Sequence, residues 1–258
     1  MERASPPQFK RRVLAAAISH QLRLKSIDYS LKRYVEPDLY DKDETSLGDT
    51  VSDFLRASGV PLEDHLKQLH TPDPSLGVFG AEVTLFRLPH ALDAARMLSN
   101  RGLLPEVLPI LRLCIEMICW SNVAFDLTAE VVRLKARQCV SRMKPIYPTI
   151  GKLYGHLSAF AHWEQVVHGR FITLDQDRTA ILKASVQYRA ESLALCLVVL
   201  DVAVAVADRM YGDRSKKLVA DIQGTSPGNK NRRTRRLISA ITRIADLAEV
   251  REVQAFLR

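Results

Sequence analysis

From Leu193 to Ala207 every residue is apolar except Asp201, and the run belongs to a helical pattern that reaches on to about Tyr211. Upstream, Asp175 or Asp177 can cap its N-terminus. A helix that is apolar nearly all round has no face to offer water, so the rest of the chain must enclose it. Val202–Ala207 alternates Val and Ala as a strand would, but the longer helical pattern outweighs it. Leu (34) and Ala (26) are abundant, Gly is only 11 and aromatics are 7%, a balance that favours helix and excludes an all-β fold. The expected fold class is all-α: an up-and-down helical bundle around a long central helix, with basic N- and C-terminal helices.

The enclosing elements are read from spacing and breakers. Phe9, Val13, Ala17, His20, Leu24, Ile27, Leu31 and Val35 recur at three or four residues and predict a long first helix with a basic opposite face. Glu36–Asp49 holds six acids and no helical period, and is expected to be an acidic loop. A short helix should then run from about Thr50 to Gly59, with Pro61 opening the next and Thr71-Pro-Asp-Pro74 ending it. Pro89 should kink or split Val78–Asn100, and Gly102 should close it. Pro105 opens an apolar helix to about Phe125, followed by an amphipathic one from Thr128 to Met143. Pro148 suits the first turn of a helix to about Trp163, and Arg170–Leu174 reads as irregular or extended. Residues 223–231 have linker composition, and Leu237, Ile241, Ile244 and Ala248 mark a final amphipathic helix. The expected division is an N-terminal helical extension (1–77), a bundle (78–212) and a basic linker with the C-terminal helix (213–258).

Charge is unevenly placed. Residues 1–34 carry eight Lys/Arg against two acids, residues 209–258 twelve against five, and the body between them seventeen against twenty-two. Basic ends around a mildly acidic body point to an anionic partner. Cys114, Cys119, Cys139 and Cys196 lie in apolar stretches without CxxC spacing, which indicates neither a disulfide framework nor a zinc module. Val13–Ile18 is too short for a secretory h-region, and the longest apolar stretch falls below the roughly 20 residues of a membrane span. A cytoplasmic protein with no membrane span is expected.

Two polar stripes stand out on otherwise apolar helices. Arg112 and Glu116 are four apart, and Tyr154, Ser158 and His162 form an i, i+4, i+8 series. If the stripes meet, His162 can act as acid or base and Arg112 can hold an anion such as phosphate. The same five residues would equally serve as a mutually satisfied polar cluster that fixes helix register. His156, His162 and His168 recur every six residues, but that spacing turns them apart, so no metal site is expected. His20 and His90 read as core or boundary histidines, and Asp201 needs a buried partner.

The combination of Arg-x-x-x-Glu at 112–116, Tyr-x-x-Leu-Ser-x-x-x-His at 154–162 and a long apolar helix resembles the uncharacterised bacterial branch of the HEPN-like helical proteins. The resemblance covers about residues 78–212. It implies an up-and-down bundle, a homodimer, and a place in a class rich in RNA-cleaving toxins and antiviral defence proteins. RNA-cleaving members carry an Arg, four to six residues, then a His on one helix. That motif is absent: Arg87 and His90 are too close, Arg12 and His20 too far apart. A ribonuclease built on this chain would have to assemble the pair from Arg112 and His162 on separate helices.

Lys230-Asn-Arg-Arg-Thr-Arg-Arg236 places five cations in seven residues, and Arg232, Arg236 and Arg243 continue along one face. Lys230, Arg232, Arg233, Arg235, Arg236 and Arg243 are therefore the expected nucleic-acid contacts, through phosphate rather than base edges. No GxGxxG or GxxxxGK[ST] run is present, and no cofactor is expected. The functional expectation is an intracellular protein that engages nucleic acid, RNA in the first place, as a nuclease or otherwise. The alternative is a non-catalytic helical interaction protein whose basic ends dock an acidic protein or a membrane surface.

Overall fold

A computed structural model describes residues 12–13, 16–17, 19–20, 27, 42–128, 130–162, 172–174, 180–182, 186–224, 232–245 and 253–257. The chain divides into two units, Met1–Asp41 and Lys42–Arg258. In the first, the described residues are helical, but Val13 and Ile27 are 51% and 44% exposed, His20 is exposed and Ser19 is buried. Of the periodic series, Val13, Ala17, His20 and Ile27 are the described members and are exposed, since spacing defines a face without saying what packs on it; the other members lie outside the described residues.

The second unit is all-α. Its helices are α1 (Lys42–Gln68), α2 (Leu76–Phe86), α3 (Leu88–Ser99), α4 (Leu104–Ala124), α5 (Ala136–Arg142), α6 (Ile150–Ala161), α7 (Val186–Tyr211), α8 (Lys216–Gln223) and α9 (Arg233–Ala245). A short antiparallel hairpin, β1 (Ile172–Leu174) and β2 (Ala180–Leu182), precedes α7 with Ile172 opposite Leu182. The long helix α7 lies at the centre, as expected, and α4 lies beside it. Helix α7 packs against α1, α3, α4 and α9, while α4 touches α2, α3, α5, α6 and α7. Leu193–Leu200 and Leu104, Leu108, Leu111, Ile115 and Ile118 are all but sealed from solvent. By length and composition both helices could cross a membrane; 61% of the apolar window of α4 and 89% of that containing α7 are buried inside the protein.

Several expected boundaries hold. Pro89 sits in the first turn of α3, so the 78–100 stretch splits in two, and Gly102 closes α3 in the left-handed region at φ 67°. Ser75 caps α2 by accepting from the Val78 N–H at 3.2 Å. Gly77 then lies so close to the Ala124 and Leu127 carbonyls that a Cβ would strike them, which lets α2 seat against the end of α4.

Others are corrected. Residues 42–49 are helical, not an acidic loop, and α1 runs unbroken through Gly59 and Pro61. Val51, Phe54, Leu55, Ser58, Leu62, Leu66 and Leu69 are buried along one stripe that continues past both breakers, so core burial overrides local propensity. The 128–143 segment is a 3-10 turn, Glu130–Arg133, followed by α5 after an extended Lys135. Val131 and Val140, nine residues apart, would face opposite ways on one straight helix, and the break lets both be buried. The long helix starts at Val186, because Ala180–Leu182 pair with β1; the caps assigned to Asp175 and Asp177 lie outside the described residues, as does the 225–231 linker. His90 is exposed rather than core.

The expected division at 77/78 and 212/213 is not observed, because α1 packs on α3 and α7, and α9 packs on α7. The C-terminal segment is part of the core: Ile238, Ile241, Val253, Phe256 and Leu257 are buried, and the Thr149 hydroxyl donates to the Phe256 carbonyl.

Candidate functional site

Helices α4 and α6 pack side by side through their apolar faces, with Leu111, Ile115 and Ile118 on one and Ile150, Leu153 and Leu157 on the other fully buried. Arg112 and Glu116 flank that seam on α4 and Tyr154 flanks it on α6. His162 ends α6 as its C-cap, with its backbone N–H donating to the Ser158 carbonyl at 3.1 Å. The two polar stripes therefore meet at the rim of the core.

Their contacts form a closed set. The Arg112 Nε donates to Glu116 Oε1 at 3.1 Å, one terminal nitrogen to His162 Nε2 at 3.0 Å and the other to the Tyr154 hydroxyl at 3.4 Å. Tyr154 in turn donates to Glu116 Oε1 at 2.8 Å, and the guanidinium sits 5.5 Å from the Tyr154 ring centroid. Burial works against the charge on Arg112, but the Tyr154 hydroxyl and the Glu116 carboxylate outweigh it and hold its pKa above the ordinary arginine value. Because a guanidinium only donates, His162 must accept at Nε2 and carry its proton on Nδ1. Arg112 uses three of its five N–H donors in these bonds, leaving one on each terminal nitrogen. The Arg112 and Glu116 side chains are 23% and 24% exposed and His162 is exposed, so the cluster opens to solvent. Ser158, the fifth expected member, is not part of it: its Oγ is buried and makes no hydrogen bond among the described residues. His156 points elsewhere, stacking on Phe160 and Phe256 at 5.0 and 5.4 Å, and His168 lies outside the described residues.

The basic segment does not present one cationic surface. Asp201, fully buried in α7, accepts from Arg232 at 3.2 Å, Gln223 at 3.2 Å, Thr234 at 3.0 Å and Tyr147 at 3.4 Å. Arg232 is thus an inward anchor and not a solvated phosphate contact: a carboxylate inside an apolar helix needs a charged partner, and Arg232 is the cation that reaches it. Arg235 is half-buried with its Nε sealed from water, and Arg233 stacks over Phe54 at 4.6 Å. Arg236 and Arg243, seven residues apart, share an exposed face of α9 with Arg233. Lys230 lies outside the described residues.

The fold and the site define a helical bundle with a solvent-open Arg–Glu–Tyr–His cluster at the α4–α6 seam. No family model, no curated protein and no solved structure matches the chain.

Proposed function

We propose that this is an intracellular RNA-binding protein of the HEPN-like kind, and that Arg112 and His162 act together on a phosphodiester. The observation that carries the reading is the 3.0 Å contact between the Arg112 guanidinium and His162 Nε2, which brings an anion-binding cation and a proton acceptor together from two helices. An incoming phosphate competes for the Arg112 N–H groups, and transfer of that bond from His162 to the phosphate frees the Nε2 lone pair. His162 then takes the proton from the ribose 2′-hydroxyl as its oxygen attacks phosphorus. The bond to the 5′-oxygen breaks, that oxygen takes a proton from water, and the products are a 2′,3′-cyclic phosphate and a 5′-hydroxyl. Glu116 and Tyr154 hold the guanidinium in place, and the exposed Arg236–Arg243 face of α9 supplies sequence-independent attraction for the backbone. The test is incubation of the purified full chain with end-labelled RNA. Wild type should cleave, and His162→Ala should fold normally and lose cleavage.

An exposed apolar series on α2, with Leu76, Phe79 and Val83 at 52%, 51% and 45%, favours a second reading, that of a non-catalytic protein that docks a partner. RNA left intact by a folded wild-type chain would support it.

A further inference from the structure

The surface of the second unit least suited to water is the outer side of α2. Among its described residues six large apolar side chains are 45% or more exposed, and four of them are Leu76, Phe79 and Val83 on α2 and Leu113 on α4. The one charged residue of α2, Glu82, is only 3% exposed; it accepts from His70 Nδ1 at 2.7 Å and from the Thr71 N–H at 3.0 Å. No charge therefore faces solvent along α2, whereas a surface helix ordinarily carries charge on its outer side.

Helix α4 continues the apolar area. A Cβ on Gly77 would strike the Ala124 carbonyl and one on Gly80 would stand 3.0 Å from the Trp120 ring, so α2 and α4 run antiparallel. Trp120 thus lies against the turn that holds Phe79, and Met117 and Leu113 precede it by three and seven residues on the same side of α4. The two ends of α2 carry opposite charges. Arg87, the C-cap of α2 with φ −81° and ψ −19°, follows Leu76, Phe79 and Val83 at the next helical step and stands on their stripe. Asp73 is exposed just before the Ser75 cap. Neither side chain makes a hydrogen bond or ion pair among the described residues.

We propose that this surface binds a second copy of the chain, with α2 antiparallel to α2 of that copy across a two-fold axis near Phe79. A two-fold contact uses one patch twice, so the patch must complement itself. Leu76 lies three residues before Phe79 and Val83 four after it, so each meets the other across the axis. Asp73 and Arg87, six before and eight after, bring an anion to a cation at both ends. The apolar middle gives up its water, and the charged ends set the direction, because a parallel pairing would place Asp73 on Asp73 and Arg87 on Arg87. The α2 series also carries the non-catalytic reading, and the dimer is measured without RNA, so its outcome is separate from that of the nuclease test.

Sedimentation velocity of the full chain at low ionic strength, from about 1 to about 300 μM, tests this. A monomer–dimer equilibrium is expected. Phe79→Asp places a charge at the axis in both copies and should weaken it by about a hundredfold or more. Arg87→Glu should weaken it by about tenfold, and adding Asp73→Lys should restore most of that loss, because the exchanged charges pair again. Met97→Asp, an exposed apolar position at the far end of α3, should leave it unchanged. A monomer at every concentration overturns the proposal and leaves the surface to a different partner. So does a dimer that Phe79→Asp leaves intact, or an open series of larger oligomers, which a two-fold contact cannot build. A folded double variant no tighter than Arg87→Glu alone overturns the antiparallel pairing; if the double variant fails to fold, the Phe79→Asp and Arg87→Glu results decide.

Discussion

The Arg112 guanidinium donates to His162 Nε2 at 3.0 Å across fifty residues of sequence, and the bond exists only while that nitrogen is unprotonated. Nitrogen-15 NMR of the imidazole should therefore show the Nδ1–H tautomer in wild type. A dominant Nε2–H tautomer would rule out the geometry.

Glu116 accepts from both Arg112 and Tyr154. Glu116→Ala leaves two partly buried donors without their acceptor and should cost about 1–3 kcal/mol in urea unfolding. His162→Ala, at the exposed edge, should cost less than about 1 kcal/mol. The opposite order would make His162 the structural member of the cluster.

Asp201 is the anchor of the C-terminal segment. Asp201→Ala strands the Arg232 cation and removes the acceptor for Gln223 and Thr234, so a loss of about 3–5 kcal/mol is expected. Chemical denaturation with Asp201→Asn as the milder comparison checks this; similar, small losses in both would mean that the hub contributes little.

The stripes at 112/116 and 154/162 were legible because i, i+4 spacing on an apolar helix leaves polar side chains only the seam to occupy. Pro89 and Gly102 were legible for a local reason, a missing N–H and a left-handed φ. Helix α1 was not, because Gly59 and Pro61 are breakers in isolation and only the buried stripe from Val51 to Leu69 overrules them. Arg232 was hidden in a run of cations that looks uniform in sequence, although it turns inward to the buried Asp201 carboxylate of α7.

Stability should fall on the alkaline side. Burial holds the Cys196 thiol up to about 12 against an ordinary 9.0, and raises Cys114, Cys119, Tyr147 and Tyr211 as well. Between those two values the unfolded chain holds fewer protons than the folded one, so unfolding becomes easier as pH rises, by up to roughly 1.4 kcal/mol per pH unit for each group. Urea midpoints measured across that window should drop, and Cys196→Ala should flatten the slope. A constant midpoint would contradict the burial of these groups.

Binding to RNA should depend on the exposed face of α9 and not on the whole basic run. Replacing Arg236 and Arg243 with Ala should lower the magnitude of the log–log salt slope by roughly 1.4–1.8, at about 0.7–0.9 per lost phosphate contact. Arg232→Ala should instead lower thermal stability. A filter-binding salt titration in which the double variant matches wild type would remove α9 as the contact surface.

The most direct measurement is analysis of RNA ends after incubation with wild type, Arg112→Lys and His162→Ala. Wild type should produce 2′,3′-cyclic phosphate and 5′-hydroxyl ends, and both variants should lose that activity while keeping wild-type circular dichroism. RNA that stays intact with wild type, or is cut equally well without His162, would contradict a catalytic Arg112–His162 pair.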